Sequence, residues 1–106
     1  MIAHIVLFRP KPDTTSSDRS AMFEALRAAS DIPEVRRFHI GKRVKHGPQY
    51  EQLMNEDYPY AAVIEFDDLP GLQAYLRHPG HQRVGELFYR LGEAMLAYDY
   101  EMASEL

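Results

Sequence analysis

Two short segments of this chain predict strands that are apolar on both faces. The sequences "IAHIVLFR", residues 2 to 9, and "YAAVIEF", residues 60 to 66, are rich in β-branched and aromatic side chains. A strand exposed on one face alternates polar and apolar residues, whereas a strand covered on both faces is an almost continuous apolar run. The sheet that contains these strands therefore needs a covering layer on each side.

The first half of the chain adds a helix, a second strand and a long connection. Thr15 and Asp18 have the spacing of a capping box, which predicts a helix over about residues 16 to 30. The apolar stripe of that helix consists of Met22, Phe23, Leu26 and Ala29. Residues 35 to 45 alternate between apolar and polar side chains, which predicts a second strand. The connection from 46 to 59 is long for a hairpin, so it is either a lid over a groove or a polar loop.

The second half predicts two helices that meet at a proline, followed by a last strand. The residue before a proline avoids helical geometry, so His78 ends a short helix and Pro79 opens the next one. An amphipathic pattern predicts a helix over about residues 80 to 92. Its apolar positions are Val84, Leu87, Phe88, Leu91 and Met95. Alternating residues from 94 to 102 predict the fourth strand.

This order of elements predicts an α+β fold of the ferredoxin-like βαββαβ type, as a single domain over residues 1–106. In that arrangement the helices cover one face of a four-stranded antiparallel sheet and leave the other face open. Because the strands are apolar on both faces, we expect the open face to pack against the same face of a second copy. The expected assembly is a homodimeric α/β barrel.

Composition and motifs exclude several classes of function. The formal net charge of -4 argues against a nucleic-acid-binding protein, which needs a basic face for phosphates. The chain has no cysteine, so disulfides and thiolate metal sites are ruled out. The apolar start of the chain lacks a basic flank and ends at Arg9, so we expect no signal peptide, no membrane association and a cytoplasmic location. No phosphate-binding loop or dinucleotide fingerprint occurs, so no cofactor is expected.

Four motifs resemble those of one protein family over nearly the whole chain. They are "HIVLFRPKPD" at the start, "IPEVRRFHIGK" after the first helix, "YLRHPGH", and the closing "YDYE". The sequence resembles the stress-responsive dimeric α/β barrel (Dabb) family. That family includes plant stress-associated proteins and polyketide cyclases of the olivetolic acid cyclase type. The resemblance implies the dimeric barrel fold.

The resemblance also implies a set of site residues. In the cyclases a tyrosine of the second helix and a histidine six residues later act on the substrate, and these match Tyr75 and His81. The first-strand histidine of the cyclases matches His4, whereas Tyr60 stands near the position of their third-strand histidine. Asp99 matches the aspartate of the closing motif and is expected to orient His81.

Each of these residues also has a purely structural interpretation. His81 begins a helix, where the macrodipole disfavours a charged imidazolium, so it is either a neutral base or a packing residue of the junction. Tyr75 either donates a hydrogen bond to an enolate or packs beside the leucines of its helix. His4 either points into a ligand cavity or makes a satisfied core contact. His78 is expected to serve the fold, and its pairing with His81 around a metal is disfavoured because the two share no helical face.

The sequence thus leads to one principal hypothesis and one alternative. The first is a homodimeric domain that binds a hydrophobic carbonyl compound and acts on it as a cyclase or isomerase without a cofactor. His81 would remove a C–H proton, Tyr75 would stabilise the enolate oxygen, and His4 or Tyr60 would position the substrate. The alternative is a non-catalytic stress or interaction protein. A deep, polar-lined cavity reaching Tyr75 and His81 would favour the first, and a barrel filled with side chains the second.

Overall fold

The four strands form an antiparallel sheet in the computed structural model, which describes residues 1–103. The strands are β1 (Ile2–Pro10), β2 (Arg37–Lys42), β3 (Tyr60–Phe66) and β4 (Gly92–Glu101). Their order across the sheet is β2-β3-β1-β4, so β1 lies between β3 and β4. This topology confirms the predicted ferredoxin-like fold, although β2 is shorter than the strand predicted for residues 35 to 45.

The helices are α1 (Ser16–Ser30), α2 (Gln49–Leu53), α3 (Leu69–Arg77) and α4 (Pro79–Leu91). The capping box at the start of α1 is present, with Asp18 N donating to Thr15 Oγ1 and Thr15 N donating to the Asp18 carboxylate. The apolar stripe predicted for each of the two amphipathic helices is wrong at one position. Phe23 of α1 is 48% exposed, and Met95 belongs to β4 rather than to a helix. Among residues 1–103, no helix is both long and apolar enough to cross a membrane.

His78 joins α3 to α4. It is the C-cap residue of α3 and the N-cap residue of α4, and its Nδ1 accepts a hydrogen bond of 2.9 Å from Gly80 N. The extended backbone before Pro79 and this cap confirm the predicted junction. His78 therefore has a structural role as the N-cap of α4. Its side chain is exposed and makes no buried contact.

One face of the sheet packs against the helices and forms the core. Alternate residues of β1 and β3, such as Phe8 and Phe66, point towards this layer. Phe8 stacks on Phe88 of α4 with 4.5 Å between ring centroids. The other core residues are Val6, Met22, Ala25, Leu26, Ala29, Ile32, Ala62, Ile64, Leu72, Tyr75, Val84, Leu87 and Leu91.

The opposite face of the sheet carries apolar side chains without a covering helix among residues 1–103. The strand register places Ile5 opposite both Val63 and Tyr98, and Leu7 opposite both Ala61 and Leu96. Tyr98 and Tyr100 of this face are 54% and 51% exposed. The molecule is accordingly a flat body of 40 × 37 × 17 Å, one sheet and one helical layer thick. We call this uncovered surface the open sheet face.

Candidate functional site

Three ring side chains converge from three elements on the helix-facing side of the sheet. His4 comes from β1, Tyr75 from α3 and His81 from the first turn of α4. The ring centroids of Tyr75 and His81 are 4.8 Å apart, and that of His4 lies 6.1 Å from Tyr75 and 6.3 Å from His81. The change of direction at Pro79 brings Tyr75 and His81 together although they belong to different helices. We call these residues the His4–Tyr75–His81 cluster.

His81 is held by a backbone carbonyl. Its Nδ1 lies 3.2 Å from Leu76 O, and because a carbonyl only accepts hydrogen bonds, Nδ1 carries the proton. In the neutral ring the lone pair is then on Nε2. Burial lowers the pKa of His81 below its ordinary value of 6.5, the bond to Leu76 opposes this, and the nearby His4 lowers the pKa further. His81 is therefore a neutral imidazole with a basic Nε2 at neutral pH.

Asp99 orients His4 and not His81, which corrects the prediction from the sequence. The two residues face each other across the β1–β4 pair, and Asp99 Oδ1 is 2.5 Å from His4 Nδ1. The carboxylate accepts a hydrogen bond from Nδ1–H of His4. This contact fixes the tautomer and the orientation of the ring, and Nε2 is the ring nitrogen that does not bind Asp99. The partner of His81, the carbonyl of Leu76, was not found from the sequence because a backbone acceptor leaves no signal in residue types.

Tyr75 is the most deeply buried member of the cluster. It is 1% exposed and packs against Phe66 at 5.0 Å between ring centroids. Burial raises the pKa of Tyr75 to about 12, so the phenol stays protonated at neutral pH. The hydroxyl takes part in none of the side-chain hydrogen bonds found among residues 1–103, and in that range no fully buried side-chain oxygen lacks a partner. The hydroxyl therefore borders accessible space and is free to donate.

Tyr60 lies outside the cluster and lines an apolar cavity of about 70 Å³ between the sheet and helices α1 and α4. Neither Tyr75 nor His81 is among its lining residues, so this cavity is not the deep polar cavity that would favour catalysis. The lining residues are Val6, Phe8, Pro10, Thr14, Arg19, Met22, Phe23, Leu26, Ile40, Tyr60, Ala61, Ala62, Phe88 and Leu91. Val6 follows His4 by two residues on the same strand face, about 6.6 Å away along β1. Val6 is thus the lining residue nearest to His4 along β1.

The connection from 46 to 59 and the side chain of His78 both lie away from the cavity. The connection from 46 to 59 contributes no residue to the cavity lining, so it is not a lid over this cavity. The Nδ1 of His78 accepts a hydrogen bond from Gly80 N, and the His78 side chain is exposed. Within residues 1–103, no three His, Asp or Glu side chains are placed together as a metal site requires.

Comparison with known proteins identifies relatives over nearly the whole chain. Residues 2–102 match the sequence profile of the stress-responsive A/B barrel domain, Dabb. Olivetolic acid cyclase from Cannabis sativa is 22% identical over 100 residues, which cover 93% of this chain and 94% of the cyclase.

Solved structures show the same architecture. Hydroxynitrile lyase from Passiflora edulis has a TM-score of 0.82 at 17% identity, covering 99% of this chain and 95% of the lyase. A dimeric ferredoxin-like protein of unknown function from Thermobifida fusca has a TM-score of 0.75 at 24% identity, covering 95% of this chain and 90% of that protein. At such sequence identities the structural similarity establishes the fold alone.

Proposed function

The chain belongs to the stress-responsive A/B barrel domain (Dabb) family, and from that premise we propose that it binds a hydrophobic carbonyl compound and performs cofactor-free acid/base chemistry on it. The observation that carries this proposal is the convergence of His4, Tyr75 and His81 from three separate elements. A base and a hydrogen-bond donor within one small region are what proton transfer next to a carbonyl requires.

In the proposed reaction His81 Nε2 takes a proton from a carbon next to the substrate carbonyl. The electron pair of that C–H bond moves into the carbonyl and leaves a negative charge on the oxygen as an enolate. The hydroxyl of Tyr75 donates a hydrogen bond to this oxygen. The enolate carbon then attacks a second carbonyl of the same molecule, which closes a ring, and the alkoxide formed there takes the proton from His81. Alternatively, His81 returns the proton to the substrate at another position, which isomerises it. In either route the proton balance is restored.

The electrostatics of the two acting groups suit these roles. His81 is neutral at neutral pH because burial lowers its pKa, so the lone pair is available. Tyr75 keeps its proton because burial raises its pKa to about 12, so the phenol donates rather than ionises. His4 is fixed by Asp99 and would position the substrate. Tyr60 would contact only the apolar end of the ligand, since it lines the cavity.

The small apolar cavity supports a ligand that carries a short apolar group. Its volume of about 70 Å³ is smaller than the roughly 150 Å³ of an apolar cavity that holds benzene, so it suits a short alkyl group. Among its lining residues Arg19 alone carries a charge, and that side chain is exposed. We therefore propose a ligand whose reactive carbonyl lies at the cluster and whose short apolar group enters the cavity from the side of Val6.

The relatives support acid/base chemistry in general terms. One is named a cyclase and another a hydroxynitrile lyase. Both names denote reactions that make or break a bond at carbon, and a base beside a hydrogen-bond donor assists either kind of step.

We also propose that the protein is a homodimer formed through the open sheet face. Among the apolar residues of that face, Tyr98 is exposed and Val63 is half-buried in a single chain. An exposed apolar face of this size favours association, and identical faces pair most simply around a two-fold axis. The relative from Thermobifida fusca is dimeric, which supports the same arrangement here.

A second candidate function is a non-catalytic interaction protein. The observation in its favour is that the cavity lining does not include Tyr75 or His81. In that case the cluster would only stabilise the junction between α3 and α4, and the dimer would be the functional unit.

Deuterium exchange separates the two functions without knowledge of the natural substrate. The probe is 2-pentanone, a ketone with a short alkyl tail, incubated with the protein in D₂O and followed by ¹H NMR at the carbons next to the carbonyl. The proposal expects faster exchange with the wild type than in buffer, loss of the effect in His81→Ala, and no change in Tyr89→Phe, whose exposed phenol is remote from the cluster. Chemical shifts of the His81 ring report whether the probe binds. Binding without accelerated exchange would favour the non-catalytic function.

A further inference from the structure

The connection between β2 and β3 exposes several large apolar side chains. We call residues 44–54 the arm. It includes α2, in which no residue is buried. Its exposed apolar residues, with their exposed fractions, are Val44 (74%), Tyr50 (56%), Leu53 (73%) and Met54 (55%). A monomeric protein rarely gathers exposed apolar groups in one short segment unless they contact a partner.

The arm has a defined shape that is set by its own polar contacts. The Glu51 carboxylate accepts hydrogen bonds from His46 N at 3.0 Å and from Gly47 N at 2.9 Å. At the base of the arm, Asp57 pairs with Arg43 at 2.5 Å and with Lys45 at 3.1 Å. Ordering a segment costs conformational entropy, and this segment returns no core packing within its own chain. A contact outside the chain would compensate the remainder of this cost.

Arg9 links the base of the arm to the open sheet face. Arg9 has the same strand parity as Ile5 and Leu7, so its side chain leaves β1 on the open side of the sheet. Its Nη1 donates to the Glu56 carboxylate at 2.8 Å, and its guanidinium lies 5.7 Å from the centre of the Tyr58 ring. Residues 56–58, which follow the arm, thus lie at the rim of the open sheet face.

The arm enlarges the apolar surface that is available to a dimer. Four strands spaced about 4.8 Å apart and about 25 Å long project roughly 500 Å². A stable interface buries about 800 Å² of accessible surface on each partner, and accessible surface exceeds the projected area of the same contact. The adjoining arm adds apolar surface to that of the sheet.

We propose that the arm packs against a second copy of this chain and forms the outer part of the dimer interface. This inference rests on the homodimer proposed above and adds to it a specific second contact region. Around a two-fold axis, the arm of each copy contacts its partner, so the contact is made twice. A membrane surface or an unrelated protein would be a different occupant of the same residues.

Thiol accessibility tests the arm directly, because the natural chain has no cysteine. Leu53→Cys places a single thiol on the arm, and Tyr89→Cys places one on the outer face of α4, where Tyr89 is 90% exposed. Both proteins are treated with the same aromatic disulfide reagent, and sedimentation velocity is measured on the same samples. We expect the thiol at position 53 to react at least about tenfold more slowly than the one at position 89 in the dimer. Dilution to the monomer should remove the difference.

The outcomes separate this inference from the homodimer itself. A monomer at all concentrations would overturn the homodimer and the arm contact together. A stable dimer in which both thiols react equally fast would overturn the arm contact alone. Protection of position 53 only after addition of anionic phospholipid vesicles, or only with another protein, would also overturn it.

An independent variant measures the energetic role of the arm. Leu53→Asp should raise the dimer dissociation constant at least about tenfold, whereas Tyr89→Asp should leave it unchanged. Circular dichroism checks that both variants are folded, which is expected because neither side chain is buried in the single chain. An unchanged dissociation constant for Leu53→Asp contradicts the inference.

Discussion

Asp99 binds His4 rather than His81, with 2.5 Å between the carboxylate Oδ1 and the imidazole Nδ1. The two histidines of the cluster are therefore oriented by different acceptors, a carboxylate for His4 and the carbonyl of Leu76 for His81. The carbonyl of Leu76 raises the pKa of His81, but burial lowers it by more, so the His81 ring is neutral. We therefore propose His81 as the base and His4, whose orientation Asp99 fixes, as the positioning ring.

Replacing His81 and His78 by alanine should have opposite effects. His81→Ala should lower turnover by about 10²-fold, the usual contribution of a general base, with little change in melting temperature. His78→Ala removes the N-cap of α4, so it should cost roughly 1 kcal/mol of stability and leave turnover unchanged. Differential scanning calorimetry and the exchange assay distinguish the two. A destabilised His81→Ala beside a silent His78→Ala would show that the histidines have been assigned the wrong way round.

The pH dependence of activity should follow the lowered pKa of His81. The base acts in its neutral form, and burial lowers its pKa from the ordinary 6.5, so the midpoint of the loss of activity on acidification should lie below pH 6.5. Stability should change in the same direction. The unfolded chain binds the proton at a higher pH than the folded protein does, so the contribution of His81 to stability decreases as the pH falls below 6.5. His81→Gln should remove this loss, which urea unfolding at several pH values would measure.

Tyr75→Phe should separate catalysis from packing. The hydroxyl makes no hydrogen bond among residues 1–103, so its removal should change stability by less than about 0.5 kcal/mol. Loss of the donor to the enolate should reduce turnover by about 10²-fold. Tyr89→Phe is the matched control, since it removes an exposed phenol. Wild-type turnover in a folded Tyr75→Phe protein would remove Tyr75 from the mechanism.

Asp99→Asn should disturb the orientation of His4. An amide has both a donor and an acceptor, so the tautomer that the carboxylate imposes on His4 is no longer fixed. We expect turnover to fall by about tenfold with little change in ligand affinity. The ¹⁵N shifts of the His4 ring should change, whereas those of His81 should not. An altered His81 spectrum with an unaltered His4 spectrum would contradict the contact seen here.

Aspartate substitutions at two neighbouring positions of β3 should act on different interfaces. Ile64 is 2% exposed and faces the helices, so Ile64→Asp should unfold the protein, since an unpaired buried carboxylate costs several kcal/mol. Val63 lies on the open sheet face, so Val63→Asp should give a folded monomer. Light scattering and circular dichroism measure the two effects. A dimeric Val63→Asp protein would contradict association through this face.

The sequence by itself determined the features that depend on neighbouring residues. The capping box of Thr15 and Asp18, the junction at Pro79 and the apolar runs of β1 and β3 are local patterns, and the structure contains each of them. The order of elements was sufficient to predict the ferredoxin-like sheet with one open face, because few topologies accommodate that order.

Only the tertiary structure decided which groups meet. A shift of one residue in the register of β4 would turn Asp99 to the opposite face of the sheet, and no local pattern sets that register. The partner of His81 is the backbone carbonyl of Leu76, which every residue type possesses. The burial of Tyr75 depends on packing between α3 and the sheet, across contacts distant in sequence. The fold follows from local patterns, whereas the chemistry of the cluster depends on non-local distances that only the folded chain fixes.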